Sequence, residues 1–371
     1  MSKRLFALLF LATALWGCGS DFDPAFKLVK ARVLAIKADP PGPAYGETAS
    51  LTPLFYFPDP KIPDAGATAV TRTTWSWCPL PGISSDGYQC PVDQAQWNAM
   101  VAGFGLRESP SLELGEGDIG SFKNPFPAEL LAYLCSNKAD LSGGADAGVA
   151  AGGLSAMAAL GQVFDCRYGF PVLIRVTAET TAGPIVAVVQ LYLPLDATQP
   201  PNTNPVVGGI RIVKPEDLVA PLDEAGTAIV TRNQKISFEL ELPESDAESF
   251  PDRYTDPNNP ADKKWVKNPD GTYATQSTPE KLDVAWYAEV GSFGERGGQR
   301  GNLTGYDSTA RYADRTPIPF QVAREMIWKA PELFNDDRPA SLRTLNRFIV
   351  VVRDVRGGVT WTTAHIGLED K

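Results

Sequence analysis

Lys235-Ile236-Ser237-Phe238-Glu239-Leu240-Glu241-Leu242 alternates without a break. Ile236, Phe238, Leu240 and Leu242 fall on one side of an extended chain, and Ser237, Glu239 and Glu241 fall on the other. That is the period-two pattern of a strand with one face in a core. The pattern repeats in both directions along the chain. Leu282 to Val290 sets Leu282, Val284, Trp286, Ala288 and Val290 on one face, and Glu47 to Phe57 does the same with Ala49, Leu51, Phe55 and Phe57. In Thr71 to Cys78, Trp75 and Trp77 share a face with Cys78 opposite. A mainly β protein follows from these segments.

Two long hairpins are expected. Val172 to Ala178 and Ile185 to Leu193 flank the turn Thr181-Ala182-Gly183-Pro184, and Phe348 to Val352 and Val359 to Leu368 flank Val355-Arg356-Gly357-Gly358. Between them, Gln199-Pro200-Pro201-Asn202-Thr203-Asn204-Pro205 breaks the pattern and reads as a linker. Each side of it holds an early alternating strand, a Trp-bearing strand and a closing hairpin. This is a repeat of architecture rather than of residues, with Trp77 and Trp286 as equivalent core tryptophans. Short strands with turn signals and a buried central Trp resemble the immunoglobulin-like β-sandwich. The resemblance covers 27 to 369 and implies two antiparallel sandwiches, although neither half has the Cys…Trp…Cys spacing of antibody domains.

The boundaries that follow are 1–17 for a signal peptide, 18–26 for a tether, 27–198 for a first sandwich, 199–205 for the linker and 206–371 for a second. Both halves exceed the roughly 100 residues of a minimal sandwich, so each carries insertions. The first, about 91–165, is expected to be partly helical at Val92 to Met100, Ala128 to Leu134 and Leu154 to Leu160. The second half has a polar loop at about 243–279 and a short helix around Val322 to Trp328. Insertions of this size often carry function.

At the N-terminus, Lys3 and Arg4 precede an apolar run from Leu5 to Trp16 that ends in Gly17-Cys18. Twelve helical residues span only about 18 Å, short of a hydrocarbon core of roughly 30 Å. These residues resemble the bacterial lipoprotein signal, in which a small residue precedes an obligatory cysteine. The resemblance implies cleavage by signal peptidase II, a diacylglyceryl group on the Cys18 sulfur and a further acyl chain, palmitate in type, on its amino group. Several chains on one residue make a stable anchor. Trp16 departs from the small residue usual there. Gly19, where Asp would retain the protein in the inner membrane, favours the outer membrane. The expected location is thus the bacterial cell envelope, periplasmic or surface-facing.

The chain has 371 residues, 34 Lys plus Arg, 44 Asp plus Glu, five cysteines and one histidine, with a net charge of -10. Such a balance supplies no field for nucleic acid, so no nucleic-acid partner is expected. With Cys18 given to the lipid, Cys78, Cys90, Cys135 and Cys166 remain in an oxidising compartment, where two disulfides are the default. Three pairings are open. Cys78 with Cys90 and Cys135 with Cys166 is preferred because each pair closes one loop. A four-thiolate zinc site lacks closely spaced ligand pairs, and no metal or cofactor is expected.

Enzyme chemistry finds few footholds. A Ser-His-Asp triad could use only His365, which reads as a strand residue, and there is no G-x-S-x-G elbow. H-E-x-x-H sites need two histidines. Gly143-Gly144 and Gly152-Gly153 read as flexible loop, and Asp256 to Asp262 with Asp270-Gly271 reads as a polar turn rather than a calcium loop. Glu244 with Asp246 and Asp336 with Asp337 are ordinary acidic pairs for which a glycosidase separation is not legible. Trp97, Tyr133, Trp265, Tyr273 and Tyr306 lie in insertions or loops, where aromatic rings either plug a sandwich edge or contact a sugar or protein. The expected function is a non-enzymatic binding, adhesion or scaffold role with an envelope protein or polysaccharide as partner. The alternatives are a carbohydrate-active hydrolase or carbohydrate-binding protein using the insertions, and a structural subunit of an envelope assembly.

Overall fold

The computed structural model describes residues 25–58, 68–80, 87–103, 109–136, 166–196, 201–213, 228–231, 233–252, 276–294, 302–307, 310, 314–331 and 346–369. Cys18 and residues 141–161 and 256–271 lie outside them.

In the first half, β1 (Arg32–Asp39), β2 (Thr48–Tyr56) and β5 (Gly120–Lys123) form an antiparallel sheet in the order β1-β2-β5. Facing it, β3 (Val70–Cys78), β4 (Glu113–Glu116), β6 (Phe170–Thr180) and β7 (Gly183–Leu193) run in the order β4-β3-β6-β7. Ala49 and Leu51 from one sheet and Trp75, Trp77, Ile174 and Val176 from the other share one buried core. Alternation produces this packing, since the odd residues of β3 and the even residues of β6 point the same way. The insertion contributes α1 (Gln94–Gly103) and α2 (Ala128–Ser136). Disulfides Cys78–Cys90 and Cys135–Cys166 staple it to the sandwich, in the preferred pairing.

The second half pairs a sheet of β8 (Ile210–Val213), β10 (Lys235–Leu240), β16 (Glu325–Lys329) and β14 (Ser292–Phe293) with one of β9 (Ala228–Thr231), β13 (Leu282–Ala288), β15 (Leu303–Tyr306), β17 (Asn346–Asp354) and β18 (Val359–Glu369). Their orders are β14-β16-β10-β8 and β15-β13-β17-β18-β9. The chain begins in one sheet at β8, crosses to lie parallel with β18 as β9, and returns as β10. This arrangement, with Trp286 buried on the interior strand β13, is that of an immunoglobulin-like sandwich. The polar loop holds a ribbon of β11 (Ser249–Asp252) and β12 (Gln276–Pro279).

One expected helix is a strand. Of Val322 to Trp328, only one turn, α3 (Gln321–Arg324), is helical, and from Glu325 the chain pairs with β10. Met326 and Trp328 alternate inward and are fully buried, so sheet pairing prevails over local helix preference.

The two sandwiches lie face to face. Leu28, Leu34, Ala35 and Tyr56 of the first half form one buried cluster with Ile349, Val351 and Val359 of the second. This corrects the expected inward face of β2. Tyr56, on the opposite side, is fully buried, whereas Phe55 and Phe57 are half-buried and stack on each other at 5.7 Å. The second sandwich covers a surface that would otherwise meet solvent. The N-terminal segment also joins the seam: Leu28 N donates to Ala288 O at 2.9 Å, and Phe26 packs edge-on against Phe293.

Candidate functional site

Two places concentrate polar side chains that a folded core does not require. The first is on the outer face of β3 and β6, where Ser76 pairs with Arg175 and Cys78 with Leu173. The Cys78–Cys90 bond draws the segment from Tyr88 to Val92 across this face. Helix α1 then starts at a reciprocal cap: Gln96 N donates to Asp93 Oδ1 at 2.8 Å, and Asp93 N to Gln96 Oε1 at 2.9 Å. The helix is held to the sheet by Trp97, whose Nε1 donates to Pro110 O at 3.0 Å while its ring meets Trp77 edge-on at 5.6 Å. Gln94 Oε1 accepts from Leu112 N at 2.8 Å, fixing the approach to β4.

Between sheet, stapled segment and helix start lies a cleft of about 480 Å³, within the range of small-ligand sites. Cys78, Leu112 and Leu173 supply apolar lining, Tyr88 and Glu113 stand exposed on the rim, and Arg175 is the cation. Arg175 Nε is buried without a hydrogen-bond partner. Apart from the exposed Arg315, every other described arginine has a side-chain hydrogen bond or ion pair. An enclosed donor left unpaired costs about 1–3 kcal/mol.

The second place is the end of the seam, at the turn between β17 and β18. Arg356, 4% exposed, donates to Glu280 through Nε and to Glu248 at 2.7 Å. Asp354 accepts from the backbone N–H of Arg356 and Gly358, each at 2.8 Å, and from Asn202 Nδ2 at 3.2 Å. Burial, with the Asp354 carboxylate next in weight, pushes Glu280 up to about 8 despite the opposing pull of Arg356. Burial likewise raises Asp354. From the first half, Arg167 reaches Asp252 at 2.5 Å, and Tyr168 packs on Phe250. Asn204 ties both halves, donating to Ala38 O and accepting from Val359 N, each at 2.8 Å. These residues fasten the linker and the second sandwich's hairpin to the first sandwich.

The sequence-flagged residues divide accordingly. Cys78 and Cys90 build the cleft wall, and Cys135 and Cys166 tie α2 to the strand that follows. His365 is exposed on β18. Asp246 is a clasp, accepting from Val206 N at 2.6 Å, and its neighbour Glu244 lies in the same short 3-10 helix. Trp97 is core, and Tyr306 packs on Phe320. Trp265, Tyr273, Asp336 and Asp337, with the glycine pairs and the Asp256 loop, lie outside the described residues, as does the Tyr133 side chain. Sequence reasoning missed Arg175. Its signal is a lone cation in the otherwise apolar run Val172 to Val176.

No family model and no curated protein matches the sequence. Among solved structures, the chain is similar to murine CRIg at 15% identity, covering 44% of this chain and 99% of that one, with a TM-score of 0.17. It is similar to murine CEACAM1b at 9% identity, covering 92% and 100%, with a TM-score of 0.19. Three N-terminal domains of the bacteriophage RB49 outer capsid protein Hoc match at 8% identity, covering 92% and 99%, with a TM-score of 0.16.

Proposed function

We propose that this chain is a lipid-anchored protein of the bacterial cell envelope, tethered through Cys18, with a non-enzymatic binding role exercised by the first sandwich. The observation that carries the binding reading is the cleft whose wall is a disulfide-stapled insertion and whose cation, Arg175, has a buried Nε with no hydrogen-bond partner among the described residues. A rigid scaffold supporting a loop-built recess is how sandwich proteins commonly carry binding sites. The seam adds to this reading by holding the cleft-bearing sandwich in fixed relation to the rest of the chain. The lipoprotein part rests on Lys3, Arg4, the apolar run and Gly17-Cys18, and two disulfides accord with an oxidising compartment.

Membrane fractionation of cells expressing wild type and Cys18→Ser tests the anchor. Wild type should sediment with outer membranes, and the variant should appear in the soluble envelope fraction; a variant that stays with membranes overturns the anchor.

A further inference from the structure

The seam shows how this chain satisfies outward arginines on a middle strand. On β17, Arg353 donates to Leu34 O at 2.6 Å, and Arg347 donates to Phe57 O at 3.1 Å and to Glu289 at 3.3 Å. Oxygen atoms of a packed protein face fill both positions, with Ile349 and Val351 buried between them. On β6, Leu173 and Arg175 occupy the same outward setting, but among the described residues no oxygen accepts from the buried Arg175 Nε. A guanidinium offers a planar fork of donors that matches a carboxylate in two parallel hydrogen bonds.

The lining also limits what can enter. Asp93 is engaged as the helix cap, and Glu113 stands exposed beside the cleft. Asp93 and Glu113 set the lining against a polyanion, and Arg175 is the one cation among the described lining residues, so a ligand with a single carboxylate has one place to pair. The apolar surface of Leu112, Val92 and Leu173 then suits a hydrocarbon side chain alongside.

We propose that the cleft is a recognition pocket for a protein segment presenting one carboxylate beside an apolar side chain, the carboxylate paired with Arg175 and the apolar group resting on Leu112 and Leu173. This rests on the binding reading above and names its partner class.

The test is a random-peptide phage library panned in parallel on the full chain made soluble by Cys18→Ser, and on the same chain with Arg175→Gln or Arg175→Lys. Peptides enriched on the parent should carry Asp or Glu next to an apolar residue. Synthetic versions should bind Arg175→Gln about tenfold or more weakly, with Arg175→Lys intermediate. Replacing the peptide's Asp or Glu by its amide should cost the parent the same factor, and should cost the Arg175→Gln chain nothing further. Unchanged melting temperatures certify the folds. Peptides that bind all three chains equally overturn the cleft assignment and leave the binding reading standing. Arg175-dependent binding of polygalacturonate that displaces the peptides overturns the protein-segment assignment in favour of polysaccharide. Enrichment of nothing, with no polygalacturonate bound, overturns both readings.

Discussion

The outward faces of β6 and β17 are built alike and end differently. Each strand carries apolar residues on both sides, Val172-Leu173-Ile174 in one and Phe348-Ile349-Val350-Val351-Val352 in the other. Each also bears outward arginine. On β17 the other sandwich buries the face and satisfies Arg347 and Arg353. On β6 a stapled insertion buries Leu173 to 7% exposure, yet among the described residues nothing accepts from Arg175 Nε. One face has become an internal joint, and the other remains a recess. A strand that is apolar on both sides therefore signals a second layer, and the chain itself supplies that layer in only one of the two cases.

This contrast can be broken most severely at the joint. Val351→Asp places a carboxylate in the fully buried seam and should cost about 4 kcal/mol. Chemical unfolding followed by fluorescence and circular dichroism should then separate into two transitions where wild type shows one. On the recess side, the double substitution Cys78→Ser, Cys90→Ser should cost about 3 kcal/mol. Amide exchange should place that loss in the first sandwich, with β13 and β17 still protected.

Titration distinguishes the two regions further. Glu280 binds its proton more tightly in the folded chain than at its ordinary value of 4.5. Its contribution is thus fully present below about pH 4.5 and lost as pH rises through about 8. Between pH 5 and 7 the loss should be on the order of 2 kcal/mol, and Asp354 shifts in the same direction. Glu280→Gln should flatten this slope in pH-dependent melting curves, and a slope that persists would mean that the carboxyl is not held neutral. The smallest effects concern the arginines. Arg353→Gln should destabilise by about 1 kcal/mol through loss of its bond to Leu34, whereas Arg175→Gln removes an unpaired buried donor and should not lower stability. Equal losses at the two positions would erase the distinction between joint and recess.

Much of the sandwich architecture was legible because alternation and turn chemistry are local. Ile236, Phe238, Leu240 and Trp286 point inward as their spacing requires, and Cys78–Cys90 and Cys135–Cys166 pair as the shorter closures do. The Glu325–Lys329 strand was obscured because five residues of mixed character acquire their identity only from pairing with β10. The seam was hidden for a different reason. Tyr56 and Leu34 fall on the side that a single sandwich would leave wet, and nothing nearby in sequence announces the distant Val351 that covers them. The unbroken run at Phe348 was the available hint. The candidate site was the least legible part, since Arg175 differs from Arg353 only in what lies above it.

The short stretch at Phe26 to Leu28 has a mechanical consequence. Although it precedes the first sandwich in sequence, it bonds to Ala288 on β13 of the second, next to β17, which in turn pairs with the terminal strand β18. A pull between the two ends of the described chain therefore meets β13 and β18, two strands of one sheet with only β17 between them. While the two backbone bonds at Phe26 and Leu28 hold, the shortest bonded path between those ends runs through the second sandwich, and the cleft-bearing body lies beside it.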